Sequence, residues 1–307
     1  MAIYKVTTAD LGVNVSASSN IKYPTNSNVF RASDAWRSNS GPGPTPGPTP
    51  LPMYTIQPYD ASNDDMYMLQ QQDTADVAKY AFSIWFNLGT FSTDRQYLFN
   101  KQDNDTMRLE FFNSDLLGVG THKYITFYLD NGAASGTRIA VDMEAFLSSA
   151  DTWVHALAFF DGSLTGNDNR QQLWLNGVKQ ASVHKLGADD VADEYNAAWI
   201  DTYHFGTGVQ TSNYHGKAGQ IRVYWSATAG GAFPDAATLA ALLYGGGSGN
   251  PDTQAGQDGL FYEFLFNDVY ADPTDIADGE VLDTSGNGYN ASTVNGMKVG
   301  AIVELGE

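Results

Sequence analysis

The chain has 307 residues, 42% apolar and 13% aromatic, which is enough to fill a core and argues against wholesale disorder. Thirty-five acidic residues against 16 Lys and Arg give a net charge of −19, which repels phosphate backbones and anionic lipid heads, so no nucleic acid and no membrane insertion is expected. With no Cys there is no disulfide, which favours assembly in a reducing cytosol, and no apolar run approaches the roughly 20 residues of a membrane span.

In chain order, the opening MAIYKVTTADLG has neither the charged head nor the apolar stretch of a secretory signal, so export by that route is not expected. Residues 1–40 are rich in Ser and Asn and too poor in large apolar side chains for a core of their own. Lys5, Lys22, Arg31 and Arg37 against Asp10 and Asp34 give this segment +2; subtracting that from −19 leaves −21 for the rest. A slightly basic arm on an acidic body reads as a docking arm for another protein; a loose terminus is the competing reading. Residues 41–52, GPGPTPGPTPLP, contain six Pro in twelve positions and can form neither helix nor ladder. They are expected as an extended linker of roughly 35 Å at full reach.

Residues 53–307 read as strand after strand: FSIWFNL (82–88), MRLEFF (107–112), KYITFYL (123–129), WVHALAFF (153–160), QLWL (172–175), IRVYW (221–225) and LFYEFLF (260–266). Gly-, Asn- and Asp-rich connections join them, and Asn176-Gly177 predicts a tight hairpin, because that pair most readily takes positive φ at both central positions. One helix is expected, in FPDAATLAALLYGGG, capped by Asp235, with Leu239, Leu242 and Leu243 as its apolar face and Gly245 ending it. Many strands with one short helix predict two stacked antiparallel sheets.

The chemistry-bearing residues are sparse. A retaining glycosidase needs two carboxyl groups about 5–5.5 Å apart, and none of the seven Glu opens an alternating acidic run that a strand could present on one face. ADDVADEY (188–195) and Glu280 with Asp283 read as solvated loop acids. No Gly-x-Ser-x-Gly elbow and no Cys nucleophile is present, so no enzyme is expected. His155, alternating with Trp153 and Leu157, is expected buried and hydrogen-bonded. Asp283, Ser285 and Asn287 begin like a calcium loop, but Val294 stands where an EF-hand needs Glu. Asp103, Asp105, Asp161 and Asp168 are candidate calcium ligands at the loop rim, though turn chemistry accounts for the same residues without metal. Sugar binding needs an aromatic platform beside polar groups, and Trp199, Tyr203, Asn213 and Tyr214 are the candidates for it.

FSIWF (82–86), YLFNK (97–101), TWVHALAFFDG (152–162), LWLNGVKQAS (173–182), HFGTG (204–208), YHGKAGQIRVYW (214–225), LAALLYGGG and DTSGNGYNAS occur in the order that resembles the concanavalin A-like, laminin G-type lectin/glucanase superfamily. The resemblance covers roughly residues 60–295, with Gln220 departing from the acid usual at its place. It implies a two-sheet antiparallel jelly-roll sandwich.

Asn169-Arg170 before the hairpin narrows the resemblance to lectin-like domains of tailed-bacteriophage structural proteins. What this implies is a virion surface protein, synthesised in the host cytoplasm: a capsid decoration or short head fibre. It would dock on other virion proteins through residues 1–40, assemble as a homo-oligomer on the particle, and display a domain that adheres to glycans. A tail-associated receptor-binding adhesin is the alternative, and a polysaccharide depolymerase ranks behind both.

Overall fold

Alternation sets each strand's two faces. In KYAFSIWFN, Tyr80, Phe82, Ile84 and Phe86 enter the principal core, while Ala81, Ser83 and Trp85 take the opposite face. The structure, a computed structural model, describes residues 52–53, 56–58, 65–69, 78–87, 95–101, 107–114, 122–129, 137–144, 146, 152–180, 184–185, 202–205, 214, 216–226, 230–244, 258–266, 280–294, 297–299 and 303–304. All belong to the second of the two units into which the chain divides, Gly47–Glu307. Lys5, Lys22, Arg31 and Arg37 of the docking arm lie outside the described residues.

The strands in chain order are β1 (Pro52–Met53), β2 (Ile56–Pro58), β3 (Asp65–Leu69), β4 (Lys79–Asn87), β5 (Arg95–Lys101), β6 (Met107–Ser114), β7 (His122–Leu129), β8 (Thr137–Asp142) and β9 (Val154–Asp161). After the one-turn helix α1 (Asn167–Arg170) come β10 (Gln171–Leu175), β11 (Val178–Lys179), β12 (His184–Lys185), β13 (Thr202–Phe205) and β14 (Lys217–Ser226). Helix α2 (Ala236–Tyr244) precedes β15 (Leu260–Phe264), β16 (Glu280–Val281), β17 (Ala291–Val294), β18 (Met297–Val299) and β19 (Val303–Glu304).

Two large antiparallel sheets result, and β1 and β19 pair apart from them as a two-stranded ladder. One has eight strands in the order β11-β10-β9-β4-β14-β2-β18, with β15 also paired to β14; the other has nine, in the order β12-β8-β7-β6-β5-β13-β3-β17-β16. Neighbours distant in sequence, such as β4 beside β14, give the crossovers of a jelly roll, as expected from the sequence. The core lies between the sheets. Phe82 stacks on Phe99 across it at 4.0 Å and Phe86 meets Phe111 at 5.1 Å. Burying each such ring contributes about 1.5–3 kcal/mol.

Helix α2 covers the other face of the eight-stranded sheet, packing Ala236, Leu239, Ala240 and Leu243 against Ala81, Leu157, Phe159 and Tyr224. Its expected cap is in place: Thr238 N and Oγ1 donate to the Asp235 carboxylate at 2.9 and 2.8 Å, and these bonds hold that carboxyl below its usual range. The hairpin forms as read, with φ of 48° at Asn176 and 73° at Gly177. Asn176 does more than turn the chain, because its Oδ1 accepts the His155 N–H at 2.9 Å. Gly177 is required for space as well as φ, since a Cβ there would sit 2.7 Å from the Tyr244 ring. The sequence predicts one helix; α1 is an addition, a single turn inside the connection DGSLTGNDN.

Two bulges reset the faces of β14 and β15. Between Gly219 and Arg222 one extra residue is inserted, with Gln220 at φ 47°, which brings Arg222 opposite Ser83 on the α2 side of the sheet. Between Val223 and Tyr224 the extra residue is on the partner strand, at Phe261. The outer edge of β15 is closed by the loop DTSGNG: Asp283 Oδ1 accepts from Glu263 N, Thr284 N donates to Glu263 O, and Asn287 Nδ2 donates to Phe261 O. A strand edge left open would template pairing with another chain, and here one loop occupies it.

Candidate functional site

The residues nominated for sugar and metal binding fare unequally. Tyr214 is not at the loop rim; it is fully buried, its ring between Phe111 and Phe205 and its hydroxyl donating to Asn87 O and Lys217 O, both at 2.7 Å. Burial pushes its phenol well above the usual range. The cause is Gly216, where any Cβ would collide with Asn87 O and the Tyr214 ring, so the chain closes tightly over this side chain. Trp199, Asn213 and the side chain of Tyr203 lie outside the described residues, as do Asp103 and Asp105.

Asp161 is buried, with Lys79 Nζ at 3.4 Å from Oδ2, while Ser163 N and Oγ donate to Oδ1 at 2.9 and 2.5 Å. That carboxylate serves a turn and an ion pair. Asp168 is exposed on α1, and its main-chain carbonyl accepts from Lys179 Nζ at 2.9 Å. Among the described residues, no three His, Cys, Asp or Glu are grouped to hold a metal ion. Asp283 likewise spends its carboxylate on four protein donors: Glu263 N, Ser285 N, Ser285 Oγ and Tyr289 N.

His155 is buried, as read from its alternation, with Nε2 2.9 Å from Ser83 Oγ and the ring against Trp85 and Tyr244. Burial, assisted by the Arg222 guanidinium, lowers its pKa to about 3, so it is neutral at any ordinary pH. Beside it, Arg222 Nε donates to Glu263 Oε1 at 2.8 Å. A Ser–His pair suggests a nucleophile and its base. Here Ser83 is 1% exposed and His155 0%, under α2, which closes the pair to any substrate.

The richest polar and aromatic set lies instead on the nine-stranded sheet, on the face turned away from the core. Register aligns Asn100 of β5, Arg108 of β6, Tyr128 of β7 and Arg138 of β8 in one row, with His204 of β13 opposite Asn100. The next row carries Tyr97, Glu110 and Thr126. Leu109, Phe127 and Ile139, one residue along, belong to the core, so these rows face away from it. Arg108 and Arg138 both approach the Tyr128 ring, at 4.1 and 5.2 Å from its centroid. Glu110 Oε1 draws both together, with Arg108 Nε at 3.2 Å, Arg138 Nη2 at 3.3 Å and Thr126 Oγ1 donating at 3.1 Å.

Tyr128 and Arg138 are half-buried and form the accessible part of this face; Asn100 is fully buried. Both amide atoms of Asn100 lack a hydrogen-bond partner among the described residues. Asn100, like Glu110 and Thr126 beside it, is 0% exposed, so it belongs to the packing beneath this face and no ligand reaches it as the chain stands. What this face exposes is part of Tyr128 and part of Arg138, and a phenol beside a guanidinium can hydrogen-bond a polyhydroxylated ligand. Sequence reading misses it because MRLEFF and KYITFYL show as strands without showing which residues of neighbouring strands stand beside them. The available signal was the pair Arg108 and Glu110, alternating with Met107, Leu109 and Phe111 in an otherwise apolar strand.

No family model matches the chain, and no curated protein matches it. Solved structures do. A protein from Bacteroides ovatus described as carbohydrate binding aligns with TM-score 0.54 and 15% identity, over 84% of this chain and 63% of its own, so the chain spans less than two thirds of that protein. The heptameric SAP-like pentraxin of Limulus polyphemus aligns with TM-score 0.36 and 13% identity, over 56% of this chain and 75% of the pentraxin. A full-length tailspike protein from an Escherichia coli bacteriophage gives TM-score 0.36 and 10% identity, over 60% of this chain and 27% of the tailspike. At 15% identity, the first likeness concerns the fold, which is the lectin-like jelly roll.

Proposed function

We propose that this chain is a surface structural protein of a tailed-bacteriophage virion, a capsid decoration or short head fibre, whose jelly roll adheres to glycans through the outer face of its nine-stranded sheet. The observation that carries the glycan reading is the row Asn100–Arg108–Tyr128–Arg138, which ends in the partly exposed Tyr128 phenol and Arg138 guanidinium. The lectin-like fold supports it. The virion reading rests on the sequence: a slightly basic 1–40 arm and a Pro-Gly linker suit a head held off a particle. The module binds rather than cleaves. Glu110, the carboxylate at the centre of this face, has Oε1 held by two guanidiniums and Thr126, an arrangement for fixing side chains in place.

A glycan array probed with the full chain tests the binding. Retention of a defined set of bacterial or environmental glycans, lost in Arg138→Ala and Tyr128→Ala, is the expected result. Retention of none, or retention that both variants leave intact, would remove the sheet face as the site.

A further inference from the structure

Three aromatic rings lie together on the other sheet. Phe261 stacks on Tyr289 at 4.8 Å and 27°, and meets Trp225 edge-on at 5.6 Å and 65°. All three are half-buried, resting on the core and leaving part of each ring to solvent. Their placement is built. The bulge on β15 makes Phe261 the extra residue, so that it and the fully buried Tyr262 both lie toward the core side, contrary to the alternation of a regular strand. The loop 283–289 then pins the ledge: Tyr289 N donates to Asp283 Oδ2 at 3.0 Å and Asn287 Nδ2 to Phe261 O at 3.1 Å. Above it the crest is open, with nothing within 4 Å of a Cβ added at Gly286 or Gly288.

Among the described residues Tyr262 Oη, inside the core, is buried without a partner, and so is one polar atom of the ledge itself. Trp225 Nε1 is buried and has no hydrogen-bond acceptor among the described residues. An indole N–H in such a position normally finds a partner. Rings that present hydrocarbon-compatible surface beside a single N–H donor match a pyranose with equatorial hydroxyls, whose axial C–H groups stack on aromatics while its oxygens accept hydrogen bonds. None of the three ledge residues carries a guanidinium or ammonium, and a net charge of −19 repels acidic chains, so the matching ligand is neutral.

We propose that Trp225, Phe261 and Tyr289 form a second carbohydrate contact that takes a neutral β-linked pyranose chain, with the Trp225 indole donating to a sugar oxygen. It is independent of the nine-stranded face, sharing no residue or strand with it. The probe is cellohexaose, titrated calorimetrically into the full chain. Wild-type protein binds it. Trp225→Phe, which keeps a ring and removes the donor, weakens binding about fivefold. Tyr289→Ala weakens it about tenfold, and Val178→Ala, at an exposed position on the edge strand β11, leaves it unchanged. Absence of cellohexaose binding by wild type, or binding that both ledge variants retain in full, overturns the proposal. Loss confined to Tyr128→Ala also overturns it, and would assign that sugar to the other face.

Discussion

Replacing Asp283 by Ala tests the plugged edge of β15. The carboxylate accepts four hydrogen bonds, from Glu263 N at 2.9 Å, Ser285 N at 3.0 Å, Ser285 Oγ at 2.7 Å and Tyr289 N at 3.0 Å. Glu263 is 6% exposed, so its N–H is orphaned when the acceptor leaves, a loss of about 1–3 kcal/mol. The other three donors lie in a loop that water reaches, and each contributes a few tenths to about 1 kcal/mol net. The total is about 3 kcal/mol. For a domain of this size that lowers Tm by about 6–12 °C. Asp283→Asn, with one carbonyl oxygen in place of two carboxylate oxygens, falls between. The assay is urea unfolding beside differential scanning calorimetry, with sedimentation to detect association through the freed edge. A loss below about 0.5 kcal/mol in Asp283→Ala would refute the reasoning, because the loop would then be resting on the strand and not holding it.

Three other outcomes follow from the same physical arguments. His155 has a folded pKa of about 3 against 6.5 unfolded, so only the unfolded chain gains its proton between those values; the stability it secures is full above about pH 6.5 and is lost as pH falls toward 3. Between pH 7.5 and 4.5, wild type should therefore lose on the order of 2–3 kcal/mol more than His155→Gln in paired denaturant melts. Gly177→Ala combines a φ of +73° with a Cβ 2.7 Å from the Tyr244 ring; it should cost about 2 kcal/mol by urea unfolding and disturb the Trp85–Tyr244 stack in near-ultraviolet circular dichroism. Full-length protein should bind particles that lack it, whereas the 53–307 fragment should not; equal binding would move docking from the 1–40 arm to the sandwich.

How much of this was legible in the sequence depended on how local the physics is. Asn176-Gly177 fixes its turn within two residues, Asp235 caps α2 through Thr238 three residues on, and the alternation around His155 forecast its burial. Tyr214 misled because YHGKAG reads as loop, while the close approach that Gly216 permits, between segments 127 residues apart, buries the ring. DTSGNG reads as a turn, and is one; that it closes the edge of β15 depends on contacts 20 and more residues away. The row Asn100–Arg108–Tyr128–Arg138 exists only through the register of four strands, and one sequence carries no register. The ledge at Phe261 depends on a bulge, a one-residue irregularity that leaves no mark in an alternating pattern.

The central claim is that a lectin-like sheet face binds glycan, and the most direct test is calorimetric titration of the strongest array ligand into wild type, Tyr128→Ala and Arg138→Ala. Losing a charge-assisted hydrogen bond from Arg138 should weaken binding about tenfold or more, and Tyr128→Ala, which removes the ring both arginines approach, should do so comparably. Affinities for both variants equal to that of wild type would contradict the account.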